Sequence, residues 1–180
     1  MVKDITQKDV HVTFGCRRFY EEDAATRTAT NAHIGSHPKL IEGLIENQWV
    51  FKAYLKKLAE KAWAHVRGVS RTEPFHIVSW CRAGEKRSVG WAVCVYHCLT
   101  SVGMQPVSSE NGAPIVNLCQ SMWLRHTCNG TCWECANYLS PQKKKDKSVK
   151  KAVEWFTSEW VALCFQVAQS QGTTVLSVPV

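Results

Sequence analysis

The 180-residue chain has no apolar run approaching the roughly 18 residues that a membrane-spanning helix needs, and its start, MVKDITQKDV, lacks the apolar stretch of a secretory signal. A soluble cytoplasmic protein that contacts no membrane is the expectation. No Gly-x-x-x-x-Gly-Lys-Ser/Thr occurs, so ATP hydrolysis through a Walker-type loop has no support and no nucleotide cofactor is expected. No internal repeat is evident. Acidic residues are in deficit: 15 Asp and Glu against 22 Lys and Arg leave a formal charge of +7, which favours anionic partners such as nucleic acid or phosphorylated metabolites. With 45% hydrophobic residues the chain can bury one sizeable core but is short for two, so a single domain over 1–180 is expected.

Cysteine, by contrast, is plentiful: nine, at positions 16, 81, 94, 98, 119, 128, 132, 135 and 164. An odd number without an export signal argues against a disulfide framework and for reduced thiols with several roles. Cys94 and Cys98 fall four apart in a helical segment and Cys164 lies on an apolar helical stripe, which assigns all three to the core.

The hydrophobic pattern alternates between strand and helix. Val10 to Phe14 reads as a strand, followed by a long polar loop from Cys16 to Ser36. From Ser36, a candidate N-cap, Pro38 and the apolar positions through Trp63 predict one long amphipathic helix or two shorter ones. Phe75 to Trp80 reads as a buried strand, Val89 to Val102 as a helix ended by Gly103, and Pro114 to Leu118 as another strand. Val149 to Ala168 reads as a helix and Thr173 to Val180 as a last strand. The fold class this predicts is α/β, a mostly parallel sheet flanked by helices, with a Cys- and Lys-rich insertion over 119–151. Ligands are then expected at the carboxyl ends of the strands.

Cys81-Arg82-Ala83-Gly84-Glu85-Lys86-Arg87-Ser88 falls where a strand meets a helix N-terminus. Free backbone N–H groups and the helix dipole favour an anion there. Gly84 permits close backbone approach, Arg87 offers a bidentate fork, Arg82 and Lys86 add positive potential, and Ser88 adds a hydroxyl. Arg17 or Arg18, just after the first strand, would converge on the same anion. The same local field would lower the pKa of a Cys81 thiol. The alternative is that Cys81 merely ends a strand and Arg87 is a solvated helix residue.

The spacing Cys, five residues, Arg, Ser resembles the signature loop of cysteine-dependent protein phosphatases. That resemblance implies Cys81 as nucleophile, Arg87 as phosphoryl clamp, Ser88 as an aid to the thiolate, and a general acid for which Asp23 is a candidate by residue type. Trp80 stands where those enzymes commonly carry His. A second resemblance is longer. HIVSWCRAGEKRSVGWAVCVYHCL is similar to the strand, turn and helix of the RapZ C-terminal domain family, whose pattern is Gly-Cys-Thr-Gly-Gly-x-His-Arg-Ser; Cys81, Gly84, Arg87 and Ser88 match it. FGCRRFYEEDAATRTATNAHIGSHPKLIEGLIE also resembles that family's Arg-bearing loop and following helix, so the similarity spans Val10 to Gly103. It implies an α/β domain that binds RNA or a phosphorylated small molecule. Trp80, Arg82, Ala83 and Lys86 depart from the pattern, but each keeps or raises the positive charge.

His126, Cys128, Cys132 and Cys135 have the spacing H-x-C-x3-C-x2-C, with Cys119 as a replacement ligand. Four soft or borderline ligands suit tetrahedral Zn²⁺, and a full set of protein ligands would make the site structural. A Cys-rich hairpin with free thiols is the alternative, because a single segment seldom supplies all four ligands. Lys143, Lys144, Lys145, Lys147, Lys150 and Lys151 stand against Asp146 alone, a local charge of +5. Such a run either tracks nucleic-acid phosphates, with Trp123, Trp133 and Tyr138 stacking on bases, or is a solvated linker. His33 and His37, flanking Gly35, either reach the anion pocket or lie on the surface.

Overall fold

The first apolar stretch forms strand β1 (Val12–Gly15), which buries Val12 and Phe14 and exposes Thr13, in keeping with the alternation of its sequence. In the computed structural model, residues 10–19, 30–68, 74–82, 86–105, 128, 130–136, 140–144 and 146–170 are described. Strand β1 runs into a single 3-10 turn, Cys16–Arg18. Two helices follow, α1 (Pro38–Glu46) and α2 (Gln48–Arg67), broken at Asn47, whose φ of −79° and ψ of 63° are not helical. Helix α1 is capped by His37, whose Nδ1 accepts from the Lys39 N–H at 3.2 Å, and Pro38 begins it. Ser36, the expected cap, is instead buried and donates to the carbonyl of Cys135 at 3.1 Å.

Strand β2 (Ile77–Trp80) pairs with β1 in parallel, Val12 opposite Ile77 and Gly15 opposite Trp80. A parallel neighbour requires a crossover, and α1 and α2 supply it. Helix α3 (Arg87–Ser101) starts six residues after β2 and ends before Gly103, whose φ of +85° is open to glycine at no steric cost. A short α4 (Pro141–Lys144) and the long α5 (Lys147–Ser170) complete the described elements. The parallel pair is thus present, while the further strands expected at 114–118 and 173–180 lie outside the described residues. Among the described residues the sheet has two strands and helices dominate.

The core gathers where α2, α3 and α5 meet the buried face of β1. Trp91 is its centre, with Phe14 at 5.0 Å, Phe51 at 5.3 Å, Tyr54 at 5.6 Å and Phe19 at 5.9 Å between ring centroids. Truncating an aromatic so enclosed typically costs about 3–5 kcal/mol. Cys94 and Cys98 are buried in α3, as their helical spacing predicts, and α5 closes over them with Val149, Ala152 and Phe156. None of the described helices is long and apolar enough to cross a membrane.

Candidate metal centre and strand-end turn

Residues 30–36 fold as a succession of turns in which the N–H of His33 donates to Thr30 O at 3.0 Å. A second segment, residues 128 and 130–136, docks against them: Cys128 N–H donates to Ala32 O at 2.6 Å, and Ile34 packs against Cys135 and Val89. Gly130 turns this segment at a φ of +82°, a conformation L side chains rarely adopt. Together the two turns place Cys132 Sγ, Cys135 Sγ and Cys128 Sγ at 3.4, 3.5 and 3.9 Å from His33 Nδ1. All four ligand atoms lie within 4.8 Å of one another. A tetrahedron with metal–sulfur bonds of about 2.3 Å and a metal–nitrogen bond of about 2.0 Å has sulfur–nitrogen edges of about 3.5 Å, so the four atoms are spaced to hold one metal ion.

Burial pushes the Cys128 thiol up, but the backbone N–H groups of Gly130 and Cys132 and hydrogen bonds from Cys132 and Cys135 outweigh it and bring it down to about 6. Burial and those same thiol contacts push Cys135 up to about 12. Cys128 therefore carries the charge while Cys135 keeps its proton. A divalent ion displaces thiol protons when it binds.

Three of the expected ligands are thus assembled, and the histidine that joins them is His33. His126 and Cys119 lie outside the described residues. His33 escapes a local search because it lies 95 positions before the first cysteine. The one available signal was the crowding of the 126–135 set, since a single segment seldom supplies four ligands. Of the two placements open for His33 and His37, the anion pocket or the surface, neither is found: His33 sits among the thiols, and His37 caps α1 with Nδ1 and meets Glu134 with Nε2 at 3.4 Å.

At the other end of the first turn of α3 lies the strand-end turn. The register of β1 and β2 brings Cys16–Arg18 and, of the turn after β2, Cys81, Arg82 and residues 86–88 to the same end of the sheet, the carboxyl end of both strands. Cys81 Sγ lies 3.2 Å from Ser88 Oγ, and Ser79 Oγ donates to Ser88 O at 3.1 Å. Arg87 Nη1 donates to Phe19 O at 3.0 Å and Arg17 O at 3.4 Å, so this guanidinium ties the N-terminus of α3 to the turn after β1. The Arg17 guanidinium lies 5.0 Å from the ring centroid of Trp80. Arg17, Arg18 and Arg82 are exposed, Lys86 and Arg87 half-buried, and Ser88 buried. Gly84 and Asp23 lie outside the described residues.

The lysine run divides. Lys147, Lys150 and Lys151 are exposed on α5. Lys143 is corrected as a nucleic-acid contact: only 7% exposed, it donates to Glu134 O at 2.9 Å and pairs with Asp146 at 3.4 Å, turned inward under the cysteine loop. Trp133 is 87% exposed beside Cys132; Lys145, Trp123 and Tyr138 lie outside the described residues. No protein-family model, curated protein or solved structure matches the chain.

Proposed function

We propose that this chain is a binding domain of the RapZ C-terminal kind, which takes RNA or a phosphorylated small molecule at the turn 81–88 and is stapled by a structural Zn²⁺ at His33, Cys128, Cys132 and Cys135. The observation that carries the ligand reading is the gathering of Arg17 and Arg87 at the carboxyl ends of the two parallel strands, Arg87 held on the turn after β1 and Arg17 beside Trp80. Parallel strands bind ligands at that end because helix N-termini and loop N–H groups converge there. Zinc follows from the donors: three thiolates and an imidazole are soft to borderline, and four protein ligands leave no open position for a reacting water. Reduced thiols of this kind suit the cytoplasm.

Thermal unfolding of the zinc-loaded protein with and without inorganic phosphate or a short RNA tests the reading. A rise in midpoint with either, absent in Arg87→Ala, supports it; no protection by any phosphate-bearing compound rejects it. If Lys147, Lys150 and Lys151 contact RNA, affinity falls steeply with salt, and replacing them with Gln flattens that slope.

The contact between Cys81 Sγ and Ser88 Oγ favours a second reading, a Cys-x5-Arg phosphatase. In it the Cys81 thiolate attacks phosphorus, a sulfur–phosphorus bond replaces the ester oxygen–phosphorus bond, the alcohol leaves with a proton from a general acid, and water then releases phosphate. Hydrolysis of an aryl phosphate between about pH 5 and 7.5, abolished in Cys81→Ser, would establish it. No turnover, with phosphate still protecting the fold, leaves the binding domain in front.

A further inference from the structure

The imidazole of a metal-ligating histidine has two nitrogens, and the one that does not bind metal must hold the proton in the right place. His33 Nδ1 faces the three sulfurs, and its Nε2 faces Glu134 Oε2 at 3.6 Å. His37 Nε2 meets that same oxygen at 3.4 Å. The tautomer of His37 follows from its cap: Nδ1 accepts from the Lys39 N–H, so the neutral ring carries its proton on Nε2, toward Glu134. One carboxylate oxygen thus lies within ion-pair reach of both rings, with the Nε2–H of His37 aimed at it and His33 Nε2 beside it.

We propose that Glu134 is the positioning residue of this metal centre: clasped between His33 and His37, it holds His33 in the tautomer whose Nδ1 completes the set of Cys128, Cys132 and Cys135. The proposal rests on the metal reading and adds to it a residue that touches no metal. Glu134 is placed for this by its own neighbour Cys135, whose carbonyl accepts from Ser36 and whose side chain is buried against Ile34. Three thiolates around a divalent ion leave net negative charge, and the Lys143 ammonium, shared between the Glu134 carbonyl and Asp146, lies beside it. The carboxylate also stabilises the positive charge that the His33 ring acquires on binding metal. Through His37 it ties the centre to the N-terminus of α1, so the metal anchors the start of the crossover as well as the cysteine loop.

The test uses the full chain, Zn²⁺ and Co²⁺, and the isosteric variant Glu134→Gln. Metal affinity is measured by competition with a chromophoric chelator, and the protonation of the histidine nitrogens by ¹⁵N NMR. The expected result is one metal per chain in both proteins, an affinity lower by about 10–100-fold in Glu134→Gln, and His33 in the metal-free variant shared between tautomers where the wild type holds only Nε2–H. The tautomer readout separates positioning from a loss of fold. Equal affinity with an unchanged tautomer overturns the proposal. Two metals per chain, the second lost in Glu134→Gln, also overturns it, by making Glu134 a ligand with His33 and His37. A wild type that takes up no metal rejects the metal reading itself, an outcome distinct from either.

Discussion

Gly35 and Gly90 cross so closely that a Cβ on Gly35 would lie 1.8 Å from Lys86 O and 2.6 Å from Gly90 N, while a Cβ on Gly90 would lie 2.9 Å from Gly35 O. This backbone crossing seats the turn that carries His33 on the first turn of α3, the turn that also carries Arg87 and Ser88.

Because the obstacles to a side chain at Gly35 are backbone atoms, Gly35→Ala is expected to destabilise the protein by about 3 kcal/mol or more. Gly43, inside α1 with nothing within 4 Å of an added Cβ, is the contrast. Gly43→Ala is expected to stabilise by about 0.5–1 kcal/mol through helix propensity. Urea unfolding of the two variants checks both signs.

Metal removal should loosen the 128–136 loop and the 30–36 turn, because few apolar contacts hold them beyond Ile34, Val89 and Cys135. A strong chelator is expected to lower the unfolding temperature. Cys132→Ser should bind metal much more weakly, and Co²⁺ in the wild type should give the absorption of a tetrahedral thiolate site. Native mass spectrometry showing no metal at any loading would count against the centre.

Alkylation distinguishes the cysteines. Burial pushes Cys16 and Cys94 up to about 12 and Cys98 well above its ordinary value. All three should resist iodoacetamide at neutral pH in the folded protein. In metal-free protein Cys128, brought down to about 6, should react first, and metal should protect it. Peptide mapping by mass spectrometry reads the order.

The same raised thiols set an alkaline limit. Their folded-state pKa values lie above the unfolded 9.0, so the unfolded chain loses protons first as pH rises. Their contribution is complete below pH 9 and is lost between pH 9 and about 12. The urea midpoint should fall above pH 9, and less steeply in Cys94→Ala.

Arg87→Ala removes the donor to Phe19 O and Arg17 O, and is expected to cost about 1–3 kcal/mol of stability. If the strand-end turn holds phosphate, the variant also loses about 2–3 kcal/mol of binding. Calorimetry with phosphate separates the two effects; unchanged binding removes Arg87 from the pocket.

The turn at 81–88 was legible because strand, turn and helix are consecutive, and each forms from hydrogen bonds and apolar spacing within a few residues. The break at Asn47 was open for the same reason: propensity over 36–63 suits one helix or two, and packing selects two. His33 was not legible as a partner of Cys128, Cys132 and Cys135, since nothing near it in sequence marks a ligand. Lys143 carries the same formal charge as Lys147, and composition cannot tell which of them turns inward.

Sequence alone marks the strands at 12–15 and 77–80, the helices over 38–67, 87–101 and 147–170, the three cysteines of the loop and the basic residues at the strand ends, because periodicity and ligand spacing are local properties of the chain. The choice of His33, the clasp of Glu134 by two histidines and the inward turn of Lys143 come from the fold. They depend on two turns, far apart in the chain, docking on the first turn of α3, and the close passage of Gly35 over Gly90 permits that docking.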